Sequence, residues 1–290
     1  MRNGLLSACL VLCATLSGAA TCMPLPETPQ AAESDVAAAI PETLRAAIES
    51  AELDGVELYR EDTAAWLASD ALVEKKLRKK HKKKTSGWIA RETDPPSQWT
   101  VSYIETSSGS PKIYADVRVE FSGSKPRTDV VAYDPPRPAT EAEASLISAR
   151  DRALGMEWLR CSSQYNHATQ QVVVDGDTYF DVRLLPARLD NVTFPLGGYH
   201  RFRLGPNGDV EHFAQTKGCV ESRARPDSAA SELKGFMVSH LTSDTPTEFH
   251  VFMSLSYKNP VYVLTVNNKL VWHVERGHIR LVGDTKKESQ

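Results

Sequence analysis

The sequence predicts an α+β fold in which helices pack on antiparallel β meanders and hairpins. Apolar residues recur at helical spacing before residue 84 and again over 141–158, and elsewhere they alternate with a period of two. Turn residues separate the alternating runs at short intervals, as antiparallel neighbours require. The order helices, meander, helix, hairpin, helix, meander lacks the regular strand–helix alternation of a doubly wound nucleotide fold.

Residues 1–21 have the form of an export signal peptide. Arg2 gives a positive start, Leu5 to Leu16 form an apolar run, and small residues lead into Cys22. A run of about twelve residues is too short to span a bilayer and suits an export signal. This predicts an exported chain, with the periplasm, the outer membrane as a lipoprotein, or secretion as destinations. Cys9 and Cys13 leave with the signal, so Cys22, Cys161 and Cys219 decide the processing. Lipidation of Cys22 leaves one pair for a disulfide; cleavage after Ala20 leaves an odd thiol in an oxidising compartment. Against lipidation, bacterial lipoprotein signals resemble Leu-(Ala/Ser)-(Gly/Ala)-Cys, whereas Thr21 precedes Cys22 here. Both processings stay open. Residues 22–40, with Pro24, Pro26 and Pro29, suit a flexible tether.

The formal net charge of −3 hides strong segregation. Residues 26–74 hold twelve Asp or Glu and two Lys or Arg, and residues 75–84 then carry eight positive charges. Within the helical segment 41–84, Pro41 opens a helix that Asp54-Gly55 is expected to stop near Glu52. A second helix is expected from Asp62 as N-cap, with Trp66, Leu67, Leu72, Val73 and Leu77 on one stripe. Its basic end lies where a helix dipole favours cations.

Residues 85–134 read as antiparallel strands: Gly87–Glu92, Trp99–Ile104, Lys112–Phe121 and Asp129–Tyr133, with Ser/Gly turns between. The cluster Asp134-Pro135-Pro136-Arg137-Pro138 is the expected connector. Residues 139–284 form the expected α+β domain. Thr140-Glu141-Ala142-Glu143 is a capping-box sequence for a helix to Trp158. Strands follow at 171–174 and 178–185. Asn207-Gly208 suggests a two-residue hairpin turn that places Phe202 opposite Phe213 and Arg203 opposite His212. A helix is expected over 229–240, then strands at 247–257, 260–266, 269–275 and 278–282.

Pro195-Leu196-Gly197-Gly198-Tyr199-His200-Arg201-Phe202, Thr216-Lys217-Gly218-Cys219 and Pro246 to Phe252 together resemble a group of exported proteobacterial proteins of unknown function. With Trp88 to Ile104, the resemblance covers most of the mature chain, and it implies no catalytic residues. A helix before a Gly-turn antiparallel sheet is also similar in architecture to PepSY-like modules. That likeness implies binding or inhibition of another envelope protein.

The chemistry of single residues gives three functional expectations. The first is a non-catalytic module that binds another envelope protein, with Cys161 and Cys219 joined as a staple worth about 3–5 kcal/mol. The second is a metal-assisted hydrolase built on His200, His240, His250 and His273, with His278 and Glu248 nearby in sequence; zinc and copper take such ligands. No H-x-H, H-x-x-x-H or C-x-x-C pair seeds that site. The third is attachment to anionic envelope lipid or glycan through Lys75, Lys76, Arg78, Lys79, Lys80, Lys82, Lys83 and Lys84, a peripheral membrane contact. Nucleic acid is not expected as a partner, because few aromatic residues interleave with the basic run. No motif implies a cofactor, no G-x-S-x-G marks a serine nucleophile, and no later run reaches the length of a transmembrane helix. Mass spectrometry with thiol titration resolves the processing. A lipidated Cys22 terminus is expected to come with no free thiol, and a terminus at Thr21 with one.

Overall fold

The computed structural model describes residues 39–81, 85–93, 97–106, 109–121, 125–223 and 234–284. All of these belong to one compact unit, Val36–Gln290. The expected signal peptide, Cys22 and most of the expected tether lie outside the described residues.

Helix α1 (Glu42–Glu74) is 33 residues long and continuous, and short α2 (Leu77–His81) follows it. Four strands come next, β1 (Thr85–Thr93), β2 (Gln98–Glu105), β3 (Lys112–Glu120) and β4 (Arg127–Pro138). Helix α3 (Glu141–Leu154) leads to β5 (Tyr165–Val174), β6 (Asp177–Pro186), β7 (Thr193–Pro195), β8 (His200–Leu204), β9 (Val210–Ala214) and β10 (Glu221–Arg223). The chain closes with β11 (Phe236–His240), α4 (Glu248–Tyr257), β12 (Val261–Thr265), β13 (Leu270–Glu275) and β14 (His278–Asp284).

Among the described residues, three four-stranded sheets result, ordered β1-β2-β3-β4, β5-β6-β8-β9 and β11-β12-β13-β14, with β7 and β10 as a separate pair. The α+β class is therefore observed, with one parallel pair, β11 with β12, inside otherwise antiparallel sheets. That pair explains the largest departure from the sequence reading. Parallel neighbours need a crossover, and α4 supplies it. Residues 247–257 are thus helix where a strand is expected, and 236–240 are strand where a helix is expected. Residues 229–233 of that expected helix lie outside the described set. The apolar run Phe249 to Met253 is buried all round, so no polar face marks its period.

The expected break at Gly55 and the expected N-cap at Asp62 are both absent, because α1 runs through them. Gly55 is where α1 crosses α4. A Cβ there would stand 2.6 Å from Val251 Cγ1 and 2.8 Å from the Glu248 carbonyl oxygen. The missing side chain is a packing device, and the glycine's cost in helix propensity is offset by the closeness of the crossing. Asp62 instead accepts from the Asn166 side chain at 2.8 Å.

Helix α1 supplies two cores. Ile48, Ala51 and Leu58 join α4 and the last sheet around Phe249, Val263 and Trp272. Ala64, Ala68, Ala71 and Leu72 cover the first sheet over Trp99, Val101, Tyr114 and Val117. Ile89, Ile104 and Ile113 pack with Leu146 and Ile147 of α3, so β2 contributes to a core on each face. The expected connector at Asp134–Pro138 is the end of β4, an edge strand, where a missing N–H removes no ladder bond. Thr140 and Glu143 form the expected capping box, but α3 ends at Leu154, before Trp158. The hairpin of β8 and β9 pairs Phe202 with His212 and Arg203 with Glu211, one residue off the expected register. Gly205 N–H donates to the Asp209 carbonyl at 2.9 Å, so the turn spans Pro206–Gly208 instead of two residues.

A polar seam links the middle of α1 to the second sheet. Glu61 accepts from Thr169 N–H at 2.9 Å and Gln170 Nε2 at 3.1 Å, and buried Arg183 donates to Gln170 Oε1 at 2.7 Å. Arg201 binds Glu248 at 2.7 Å and Arg203 grips Asp181 with two bonds. At the start of α3, Glu143 accepts from Arg91 and Arg137. Burial opposes its charge, but the Arg137 and Thr140 donors and the nearby Arg91 hold it at about 2. Removing one member of such a seam strands its partner's charge in the interior.

The crossing yields the first prediction from the fold. Gly55→Ala raises helix propensity by about 1 kcal/mol, yet overpacking against Val251 costs about 1–3 kcal/mol or more. The expected result is a lower midpoint in urea denaturation; a raised midpoint contradicts the close crossing.

Candidate functional site

The site emerges where α1 stops. Lys75 caps the helix, and Lys76 turns the chain through a left-handed conformation at φ 59°. That turn carries Arg78 and Lys79 on α2 over the first sheet. Between them and the strands lies a cleft of about 700 Å³. Ser69 and Val73 of α1 form one wall, and Thr85, Gly87 and Trp88 of β1, Tyr103 of β2 and Tyr114 of β3 form the rest, with Lys76, Arg78 and Lys79 at the rim. The lining exposes mostly apolar surface and contains no carboxylate among the described residues.

Ser69, Trp88, Tyr103 and Tyr114 are each held by further contacts. Tyr103 OH and Ser69 Oγ share a hydrogen bond at 2.8 Å, tying β2 to α1. The Tyr114 ring stacks on His81 with centroids 4.3 Å apart, and His81 Nδ1 meets Glu105 Oε2 at 2.9 Å. Trp88 stacks on buried His167 at 4.4 Å, and its carbonyl accepts from Arg150 at 3.1 Å. Gly87, at φ 113°, sits at a register shift in β1, and a Cβ there would lie 3.1 Å from Arg150 Nη1. Only glycine takes that conformation without strain. Burial raises the hydroxyl pKa of Tyr103 and Tyr114, so both stay neutral hydrogen-bonding groups at pH 7. Chemically the cleft is an aromatic trough with a cationic rim.

Of the basic run, Lys76, Arg78 and Lys79 line this cleft, Lys75 caps α1, and Lys80 binds Asp134 at 2.6 Å. Lys82, Lys83 and Lys84 lie outside the described residues. Cys161 and Cys219 form the expected disulfide, linking the segment before β5 to that after β9. A second cavity of about 510 Å³ lies beside it, lined in part by Asp190, Glu221 and Arg223.

The histidines do not assemble into the expected metal set. His200 Nδ1 lies 3.0 Å from His212 Nε2, and its Nε2 lies 2.9 Å from the Leu159 carbonyl. His240 and His250 meet edge to face at 4.8 Å. His273 packs by Tyr262 and lines a recess of about 300 Å³ with His278. Glu248 is engaged by Arg201. Among the described residues, no group of three or more His, Cys, Asp or Glu is placed to hold a metal ion. The reason lies in α4: His250 is a helix-capping residue, whose Nδ1 accepts from Thr247 N–H at 3.0 Å. Its Nε2 lies 3.2 Å from the Gln215 side-chain amide nitrogen.

The sequence reading missed the cleft's aromatic half. Trp88, Tyr103 and Tyr114 look like ordinary alternating strand residues. A usable signal was the basic run falling directly before strands that carry aromatic residues, since antiparallel pairing must bring those strands side by side. No known family model matches the chain, and no curated protein or solved structure matches it either.

The buried imidazoles make stability depend on pH. Desolvation holds His167 at about 3 and His240 at about 4, and lowers His200, His212 and His250 as well. The folded chain keeps these rings neutral, whereas the unfolded chain binds protons below about 6.5. Their contribution is full above that value and is lost as pH falls toward 4, with a slope of up to about 1.4 kcal/mol per pH unit for each ring. Glu61 and Asp62 act in the opposite sense. Burial raises Glu61 to about 8 and Asp62 to about 6, and it raises Glu57 as well, so the contribution of these acids declines as pH rises. The rings outnumber the acids, so the melting temperature is expected to fall between pH 7 and pH 5. His250→Gln keeps an acceptor for Thr247 N–H and is expected to make that fall shallower. A melting temperature that rises on acidification contradicts the assignment.

Proposed function

We propose that this chain is an exported, non-catalytic binding protein of the cell envelope that holds an amphiphilic anion in the cleft at the end of α1. The observation that carries the reading is the union, in one cleft of about 700 Å³, of an aromatic floor with three rim cations and, among the described residues, no lining carboxylate. A cavity of this size suits a small ligand, with apolar walls for its body and a few polar groups to orient it. Burying an eight-carbon segment contributes roughly 6 kcal/mol, before the costs of ordering and association. Lys76, Arg78 and Lys79 supply charge-assisted bonds to the headgroup. The hydroxyls of Ser69, Thr85, Tyr103 and Tyr114 lie within the same walls.

An oxidising compartment is supported by the Cys161–Cys219 disulfide and by the export-type leader in the sequence. Among the sequence-derived expectations, the basic run acquires a pocket, whereas the histidines separate into capping and pairing roles. The reading is a binding role, with no reaction assigned to it.

Dodecyl phosphate, kept below its micelle-forming concentration, is the probe. Calorimetry is expected to give a saturable single site on the full chain. The triple variant K76Q/R78Q/K79Q is expected to weaken it about ten-fold or more, since each exposed charge contact contributes up to about 1 kcal/mol. No saturable binding to the unaltered chain overturns the reading.

A further inference from the structure

Helix α1 carries an outward feature that its packing does not use. Trp66 is 61 % exposed and Val73 is 55 % exposed. They stand seven residues apart with Ser69 between them, so the three share one stripe of the helix. Ser69 and Val73 also line the cleft, so this stripe runs from open solvent into the cleft wall. A large exposed aromatic ring about 10 Å from a cationic cleft mouth has no role in the fold. Indole rings favour the boundary between lipid headgroups and acyl chains.

The charges around the stripe change sign along the chain, from acids on the last turns of α1 to cations beyond its end. Asp70 and Glu74 lie near it on α1, and Lys80 is held by Asp134. Lys75, Lys76, Arg78 and Lys79 are all exposed and follow immediately. Helix α2 therefore presents its cations beside the apolar stripe, at the mouth of the cleft. A cationic helix end flanked by exposed aromatic and aliphatic side chains matches an interfacial membrane contact.

We infer that the Trp66–Val73 face of α1, with Lys75, Lys76, Arg78 and Lys79, docks on an anionic lipid bilayer and opens the cleft toward the headgroups. The inference rests on the proposed amphiphile cleft and adds the route by which it is filled. The bilayer supplies the ligand laterally, so the acyl segment moves from lipid into the aromatic trough without crossing bulk water. The rim cations that hold the plane are then the ones that receive the headgroup.

Vesicle sedimentation with the full chain tests this. Phosphatidylcholine vesicles containing phosphatidylglycerol are expected to bind the protein, with affinity falling as salt rises, and vesicles of phosphatidylcholine alone are not. R78Q/K79Q is expected to weaken binding roughly five-fold per removed charge. Trp66→Ser, at an exposed position, is expected to keep the far-ultraviolet circular dichroism and to lose about ten-fold in affinity. Tryptophan emission is expected to shift to the blue on anionic vesicles in the unaltered chain, with a smaller shift in Trp66→Phe. Equal binding to both vesicle types, or unaltered binding by Trp66→Ser and by R78Q/K79Q, overturns the inference. Dodecyl phosphate binding without vesicle binding sinks the docking route and leaves the cleft reading intact. Vesicle binding without dodecyl phosphate binding sinks the cleft reading and the loading route together.

Discussion

The close crossing of α1 on α4 at Gly55 is the constraint on which the rest of the structure depends. With no side chain at 55, the backbone of α1 lies against Val251 and the Glu248 carbonyl, and one helix is free to serve two cores. Its first half closes the last sheet and its second half covers the first. Glu61, between them, bonds to Thr169 and Gln170 of β5. Each sheet is thereby tied to the same rigid element. A side chain at 55 would press on the α4 backbone and disturb the seat of Phe249 and Trp272.

The place where α1 ends follows from the same arrangement. Its last buried turn, Ala71 and Leu72, still packs on the first sheet. Exposed Val73 and Glu74 follow, then Lys75 and Lys76, for which that apolar surface has no place, and the chain turns at Lys76. The charge segregation then has a structural meaning. The acidic block lies largely along α1, where Glu52 and Glu61 accept from backbone amides of distant strands. The basic block begins at the helix C-terminus, where the dipole favours it, and its described residues Lys76, Arg78 and Lys79 line the cleft over the first sheet. The cleft is the space left between a helix that must stop and strands that continue.

Much of this was legible in the sequence, and the failures have identifiable causes. Thr140 to Glu143 forms its capping box because that motif acts within a single turn. The Arg276-Gly277 turn is equally local, with both residues at positive φ as a tight hairpin requires. The Cys161–Cys219 pair was legible because the other three cysteines all lie within the first 22 residues. Gly55 misled because a glycine in a helix reads as a stop until the partner helix is known. The run Phe249 to Met253 misled because burial on all sides erases the polar face that distinguishes periods. Its reassignment removed His250 from the metal set and made it a cap. The hairpin slipped by one residue because Asn207-Gly208 sits inside a three-residue turn. Half of the cleft was visible as the basic run; the aromatic half was not, because Trp88, Tyr103 and Tyr114 come together only through strand pairing.

The central claim is that one cleft, assembled from α1 and three strands, is the functional surface. The most direct measurement is a backbone amide chemical-shift map of the full chain during titration with dodecyl phosphate. The cleft assignment predicts the largest changes at Val73, Thr85, Gly87, Tyr103 and Tyr114, residues far apart in sequence that share these walls. Changes centred on the cavity beside Cys161 and Cys219, or on His273 and His278, with Thr85 and Tyr114 unmoved, contradict it.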